Sequence, residues 1–240
     1  MQPQDFGFEY QQKISSRTRS LRVHIDRFGQ VIVTTPKRYP QSLLHEFLTQ
    51  SSEWIEKHLA LYRRRSRVDE GNAGAVLYYG APYHIEIQLH ENGPTIEQKD
   101  SHIVVRPISP TPVSCALAVE RWLKAEADRY MSKRIHELAK EMNASFSSLH
   151  IRDQSTRWGS CSASKRLQLN WRLIQAPKEV IDYVMIHELA HLVHMNHSER
   201  FWAYVERFDP AFLIHKKWLR FHGAALHKDF RNNPAFRSLK

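Results

Sequence analysis

Apolar and polar positions alternate on both sides of Phe28-Gly29 in residues 20–35, SLRVHIDRFGQVIVTT, with Leu21, Val23 and Ile25 pointing one way, followed by Val31 and Val33. This period of two predicts a β-hairpin, closed by Pro36 and Pro40. From Gln41 to about Arg65 the period changes. Leu44, Phe47, Leu48, Trp54, Ile55, Leu59 and Tyr62 recur at steps of three and four, which predicts one or two amphipathic helices ending at Arg63-Arg64-Arg65. Residues 76–89 predict a second strand pair turning at Gly80-Ala81-Pro82, and residues 102–106 a further strand, all joined in one small antiparallel sheet. Pro107, Pro110 and Pro112 then form a stiff connection, because proline fixes φ and suits neither a helix interior nor a central strand. The main boundary is expected there.

Beyond it, Leu117, Val119, Trp122, Leu123, Ala127, Tyr130, Met131, Ile135, Leu138 and Met142 give residues 113–142 a helical period, with Asn143 as the stop. Residues 146–151 and 157–171 predict three short strands, the last two joined by the polar turn Ser162-Ala163-Ser164-Lys165. Pro177 suits the first position of a helix running to about Met195, and two short helices over roughly 198–207 and 211–222 follow. The expected class is α+β. A β-rich subdomain with one or two helices occupies 1–110, a domain built on a helix packed against a small antiparallel sheet occupies 111–225, and a partly disordered basic tail occupies 226–240.

Composition narrows the class. With 240 residues and 42% apolar content the chain can bury a core, and its 8 glycines leave no Gly-rich phosphate loop or long flexible linker. Cys115 and Cys161 stand alone, so neither a disulfide framework nor a CxxC zinc finger is available, and a reducing, cytoplasmic setting is expected. No apolar stretch reaches the length of a membrane span, and the N-terminus lacks the layout of a secretory signal, so neither membrane insertion nor classical export is expected. The formal charge is +10 and uneven: residues 17–68 hold eleven Lys/Arg against four Asp/Glu, and residues 211–240 hold seven against one. Such ends attract nucleic acid or another polyanion, but they equally make a solvated basic surface, and no nucleic-acid motif accompanies them.

The chemistry concentrates in His187-Glu188-Leu189-Ala190-His191-Leu192-Val193-His194-Met195-Asn196-His197. Two histidines four apart on a helix share a face and can reach one ion, while the intervening Glu188 can address a water at the metal's open position. Fifteen His and sixteen Glu in this chain give only roughly 0.06 HExxH matches by chance, so ordinary surface histidines explain the pattern poorly. A catalytic zinc keeps one position open and takes a third protein ligand. His194 lies seven residues from His187, roughly 10 Å along a helix, too far for one ion to span all three. His197 follows Asn196, a residue tolerant of the left-handed conformation that ends helices, so its ring can return over the first pair. The expected site is therefore zinc on His187, His191 and His197, with Glu188 as general base. Val180, Ile181, Val184, Met185 and Ile186 make the preceding helix deeply apolar, fit to hold that site rigidly.

Arg157-Trp158-Gly159-Ser160-Cys161-Ser162, Leu169-Asn170-Trp171-Arg172-Leu173, Pro177, the HExxH segment and Asn196-His197-Ser198 with Phe201-Trp202 together resemble the YgjP-like metallopeptidase-domain family, related to SprT-like proteases and minimal zincins. The N-terminal SLRVHIDRFGQVIVTTPKRYP and the segment ending in Trp54-Ile55 extend the resemblance over most of the chain. It implies a bacterial cytosolic zincin-like peptidase acting on protein or peptide, with its HExxH helix and third histidine carried by His187, His191 and His197. It supplies no substrate. The histidine spacing equals that of metzincins, yet His194 stands where their glycine would, and no Met-turn follows.

Other residues invite two readings each. Arg157 and Asn170 either orient substrate or hold the 157–171 hairpin against the zinc helix; that hairpin's edge could accept an extended peptide. Trp158, Trp171 and Trp202 are expected in the core, and Cys161 as a small buried strand residue instead of a cap on the zinc. Two rival functions remain. One is a nucleic-acid-associated protein whose protease-like domain serves DNA repair or restriction; the other is a non-catalytic, zinc-stabilised domain, against which the intact Glu188 argues.

Overall fold

The computed structural model describes residues 6–25, 30–71, 74–88 and 95–236, with backbone alone for 61–71. The chain forms two compact units, Met1–Asn72 and Ala73–Lys240.

In the first unit, strands β1 (Tyr10–Ser15), β2 (Arg22–Ile25) and β3 (Val31–Pro36) make a sheet in the order β1-β3-β2. The expected hairpin is there, with Ile25 opposite Val31 in the antiparallel β2–β3 pair, while its turn at Phe28-Gly29 lies outside the described residues. β1 runs parallel to β3. It was not expected from its sequence, YQQKIS, which lacks an apolar alternation. Helix α1 (Gln41–Gly71) continues through the three arginines, because arginine is a good helix former and the first strong breaker is Gly71. Leu44, Leu48 and Ile55 close a small core with Phe8, Val31 and Val33.

The second unit begins with β4 (Ala75–Tyr78), β5 (Ala81–Ile87), β6 (Thr95–Lys99) and β7 (His102–Arg106), in the order β4-β5-β7-β6. Helix α2 (Pro112–Glu141) follows, its N-terminus capped by the Thr111 hydroxyl, which accepts from the Ser114 N–H at 3.2 Å. Strands β8 (Ser148–Arg152), β9 (Gly159–Cys161) and β10 (Arg166–Asn170) form a third sheet, β8-β10-β9. After a 3₁₀ turn over Trp171–Gln175 come helices α3 (Lys178–Ala190), α4 (Glu199–Phe208) and α5 (Phe212–His222). The fold is mixed α+β. Among the described residues no helix is long and apolar enough to cross a membrane.

Three expectations are corrected here. The sheets are mixed: β5–β7 and β8–β10 are parallel pairs, and parallel neighbours need a crossover that hairpin reading cannot see. The prolines at 107–112 mark no division, because Val76, Ile103 and Val105 of the sheet share one core with Cys115, Val119 and Leu123 of α2. Residues 226–236 are no loose tail either, since Leu226, Phe230 and Phe236 are buried in that same core.

The start of α3 is held from outside. Gly80 adopts φ 79°, and a β-carbon on it would come 2.7 Å from Cγ of Pro177. The N–H groups of Tyr79 and Gly80 donate to the carbonyls of Ile174 and Gln175 at 2.9 and 3.1 Å. The β4–β5 turn is thus fastened to the residues that lead into α3.

Candidate metal centre

α3 is apolar nearly all round, with Ile181, Met185 and Leu189 fully buried, and its last turn delivers His187 and Glu188. The helix stops at Ala190, earlier than the expected Met195. Leu192 and Val193 donate to Leu189 and Ala190 at 3.0 and 3.1 Å, three residues back, and so tighten the helix end. Asn196 does not take up a left-handed conformation; the chain reverses through these tight turns instead.

The reversal brings His187, His191 and His197 together, with one ring nitrogen from each lying within 4.8 Å of the others. The Nε2 atoms of His187 and His197 stand 3.1 Å apart. Zinc–nitrogen bonds near 2.05 Å at tetrahedral angles place ligand nitrogens about 3.3 Å apart, so the cluster suits one such ion. Nδ1 of His191 donates to the His194 carbonyl at 3.1 Å, which leaves its Nε2 lone pair for the other two rings. Burial, reinforced by the neighbouring His191, His197 and Lys216, pushes His187 down to about 3, and burial lowers His191 too, so both are neutral imidazoles fit to ligate. Nδ1 of His187 is buried with no hydrogen-bond partner.

Two aromatic residues of α4 hold the rings. Phe201, fully buried, lies 4.9, 4.6 and 4.8 Å from the rings of His187, His191 and His197. Trp202 stacks on His197 at 5.6 Å. The ring of His194 turns instead toward Tyr204, at 5.7 Å, and stands outside the cluster.

Glu188 is 5% exposed, and burial pushes its carboxyl up to about 8 against the opposing charge of Arg157. Its carboxyl passes where a neighbouring residue has no side chain. A β-carbon on Gly159, the first residue of β9, would stand 2.6 Å from Oε1 of Glu188. A cleft of ≈ 320 Å³ opens beside Glu188 and His187, walled by Trp158, Tyr183, Val184 and Leu219. Lys216 and Arg220 of α5 complete its lining. Burial holds the Tyr183 phenol up near 12, so it stays protonated at neutral pH.

The ambiguous residues now separate. Asn170 is fully buried, donates to the carbonyls of Gln154 and Arg157 at 2.7 and 3.3 Å, and accepts from the Arg172 N–H at 3.1 Å. It fastens the loop before β9. Arg157 is exposed. Of the three tryptophans only Trp171 is buried in the core; Trp158 and Trp202 are half-buried, one in the cleft wall and one on His197. Cys161 is half-buried too, its thiol pushed up by burial and by Glu188. Sequence reasoning overlooked Gly159, Tyr183, Lys216 and Arg220. Tyr183 carried a usable signal, four residues before His187 on the same helical face.

No curated protein and no solved structure matches the chain. A family model does: the chain belongs to the family described as YgjP-like, metallopeptidase domain, which matches residues 19–222.

Proposed function

We propose that this protein is a zinc metallopeptidase in which His187, His191 and His197 hold the metal and Glu188 is the general base. The observation that carries this reading is the convergence of three imidazole nitrogens beside a buried carboxyl at the head of a cleft. Three imidazole nitrogen donors, with no fourth His, Cys, Asp or Glu grouped with them among the described residues, match the donor set of a catalytic zinc more closely than a closed structural one. Zinc held there supplies Lewis acidity, polarising a peptide carbonyl and easing the deprotonation of water.

The remaining steps belong to the chain's own groups. Glu188 accepts the proton of the attacking water and hands it to the leaving amine, and its apolar surroundings make it a stronger base than a solvated carboxylate. Arg157, whose charge reaches Glu188, restrains that rise. β9 is an edge strand, and its first residue adjoins Glu188. An extended peptide pairing with that edge would bring its main chain past the carboxylate, which favours hydrogen bonds to backbone over selection of side chains.

The test is Glu188→Gln in zinc-loaded protein, assayed on a quenched peptide library. Cleavage is expected to fall by about 10²–10⁴-fold while zinc stays stoichiometric. Full cleavage by this variant would remove Glu188 from the role.

A further inference from the structure

We propose that Lys216 and Arg220 form a carboxylate-binding wall of the cleft, so that the peptidase favours substrates carrying a carboxylate beside the scissile bond. The proposal rests on the peptidase reading above and names its substrate class.

α5 presents Lys216, Leu219 and Arg220 at steps of three and four, and all three line the cleft that ends at His187 and Glu188. Leu219 is buried and anchors the helix, while the two cations on either side of it remain exposed. Elsewhere in this unit cations sit on carboxylates: Arg134 on Asp182 at 2.8 Å, Arg172 on Asp153 at 3.1 Å, Arg231 on Asp229 at 2.7 Å. Among the described residues neither Lys216 nor Arg220 has such a partner.

Lys216 is nonetheless held in place. Its ammonium lies 3.9 Å from the centre of the Trp202 ring, and Trp202 stacks on His197. A cation over an aromatic face is positioned without being neutralised. Among the described residues Glu188 is the sole carboxylate in the lining and it is buried, so an incoming anion meets two positive charges and no exposed negative one there. Trp158, Val184 and Leu219 give the cleft largely apolar walls beside the Tyr183 phenol, and such walls strengthen any ion pair formed between them.

A peptide offers a carboxylate from two sources, an acidic side chain or its own C-terminus. The experiment uses zinc-loaded Glu188→Gln protein and three fluorescent peptides built on one sequence that the wild type cleaves or, failing cleavage, binds. One has glutamate at the variable position and an amidated end; the second has glutamine there and an amidated end; the third has glutamine and a free carboxylate ending beside the same position. Anisotropy is expected to show at least one carboxylate peptide binding about tenfold tighter than the neutral one, the scale of one charge-assisted contact. Which of the two gains identifies the source.

Moving the glutamate three residues along the peptide is expected to abolish the gain, which a diffuse pull from the net charge would not do. Arg220→Glu, an exposed change, is expected to invert the preference. Equal affinity for all three peptides, or a preference unchanged in Arg220→Glu, overturns the proposal. Cleavage by the Glu188 protein is scored separately, so the carboxylate preference without any hydrolysis upholds the wall and counts against the peptidase reading alone.

Discussion

Glu188 fills the space that a side chain at Gly159 would need: a β-carbon on the glycine would stand 2.6, 2.7 and 2.8 Å from Oε1, Cγ and Cδ of the glutamate. The carboxyl passes over the strand where a side chain would otherwise be. Because Glu188 is buried, it has little room to step aside. Gly159→Ala is therefore expected to keep zinc and to lose about 10²-fold in peptide hydrolysis, the scale of a displacement near 1 Å at a reacting group. Steady-state kinetics with metal analysis on the same sample decide it, and undiminished turnover would show that Glu188 can move without consequence.

The raised Glu188 carboxyl also predicts a pH effect in metal-free protein. Folded Glu188 keeps its proton to about 8, whereas the unfolded chain releases it near 4.5. The group's contribution is thus fully present below 4.5 and is lost as pH climbs through about 8. Glu188→Gln has no such proton to lose. Its urea midpoint, relative to wild type, is expected to rise across that window and level off above it; a constant difference from pH 4 to 9 would contradict the shift.

Metal retention separates the two outer histidines. His197→Ala removes a ring from the cluster and is expected to lower zinc affinity by more than tenfold, whereas His194→Ala keeps the carbonyl that holds His191 and is expected to leave it within about threefold. Competition with a chromogenic chelator measures both, and the reverse order would exchange their roles. Chelator treatment of the wild type is expected to lower its Tm by several degrees, since an ion bound only by the folded state stabilises it.

Asn170 is expected to matter for stability and not for substrate. Asn170→Ala leaves the part-buried carbonyl of Gln154 without this donor, at a cost of about 1–2 kcal/mol in chemical denaturation. KM for a cleaved peptide should stay unchanged at temperatures where the variant is folded; a large KM effect there would return Asn170 to the binding surface.

Much of the local architecture was legible because periodicity is local. The 20–35 hairpin, α2 and the 157–171 strand pair follow from spacing, and the HExxH spacing singled out His187 and His191; the structure draws His197 to them through tight turns and not through the left-handed Asn196 that was expected. Helical rise sets the His194 side chain apart from the other two rings but says nothing of its carbonyl, which steadies His191. β1 and the parallel pairs escaped because their partners lie far along the chain. Gly159, Lys216 and Arg220 are about thirty residues from Glu188, and nothing in their own neighbourhoods says that β9 and α5 flank it. The boundary near residue 110 failed for a similar reason: prolines show where the chain bends, not whether the pieces on either side share a core.

The seat of α3 limits how this protein can be shortened or rearranged. Since the turn at Tyr79–Gly80 supplies the amides that receive the chain just ahead of Pro177, a fragment cut at residue 110 would keep every presumed ligand and yet lose the doorstop against which the ligand-bearing helix is set. Replacing the 75–106 sheet would remove these two hydrogen bonds and the Gly80–Pro177 contact without touching a histidine. The 75–106 sheet, the histidine-bearing helix and the residues that follow it belong to one compact unit, so none of these pieces is separable from the others.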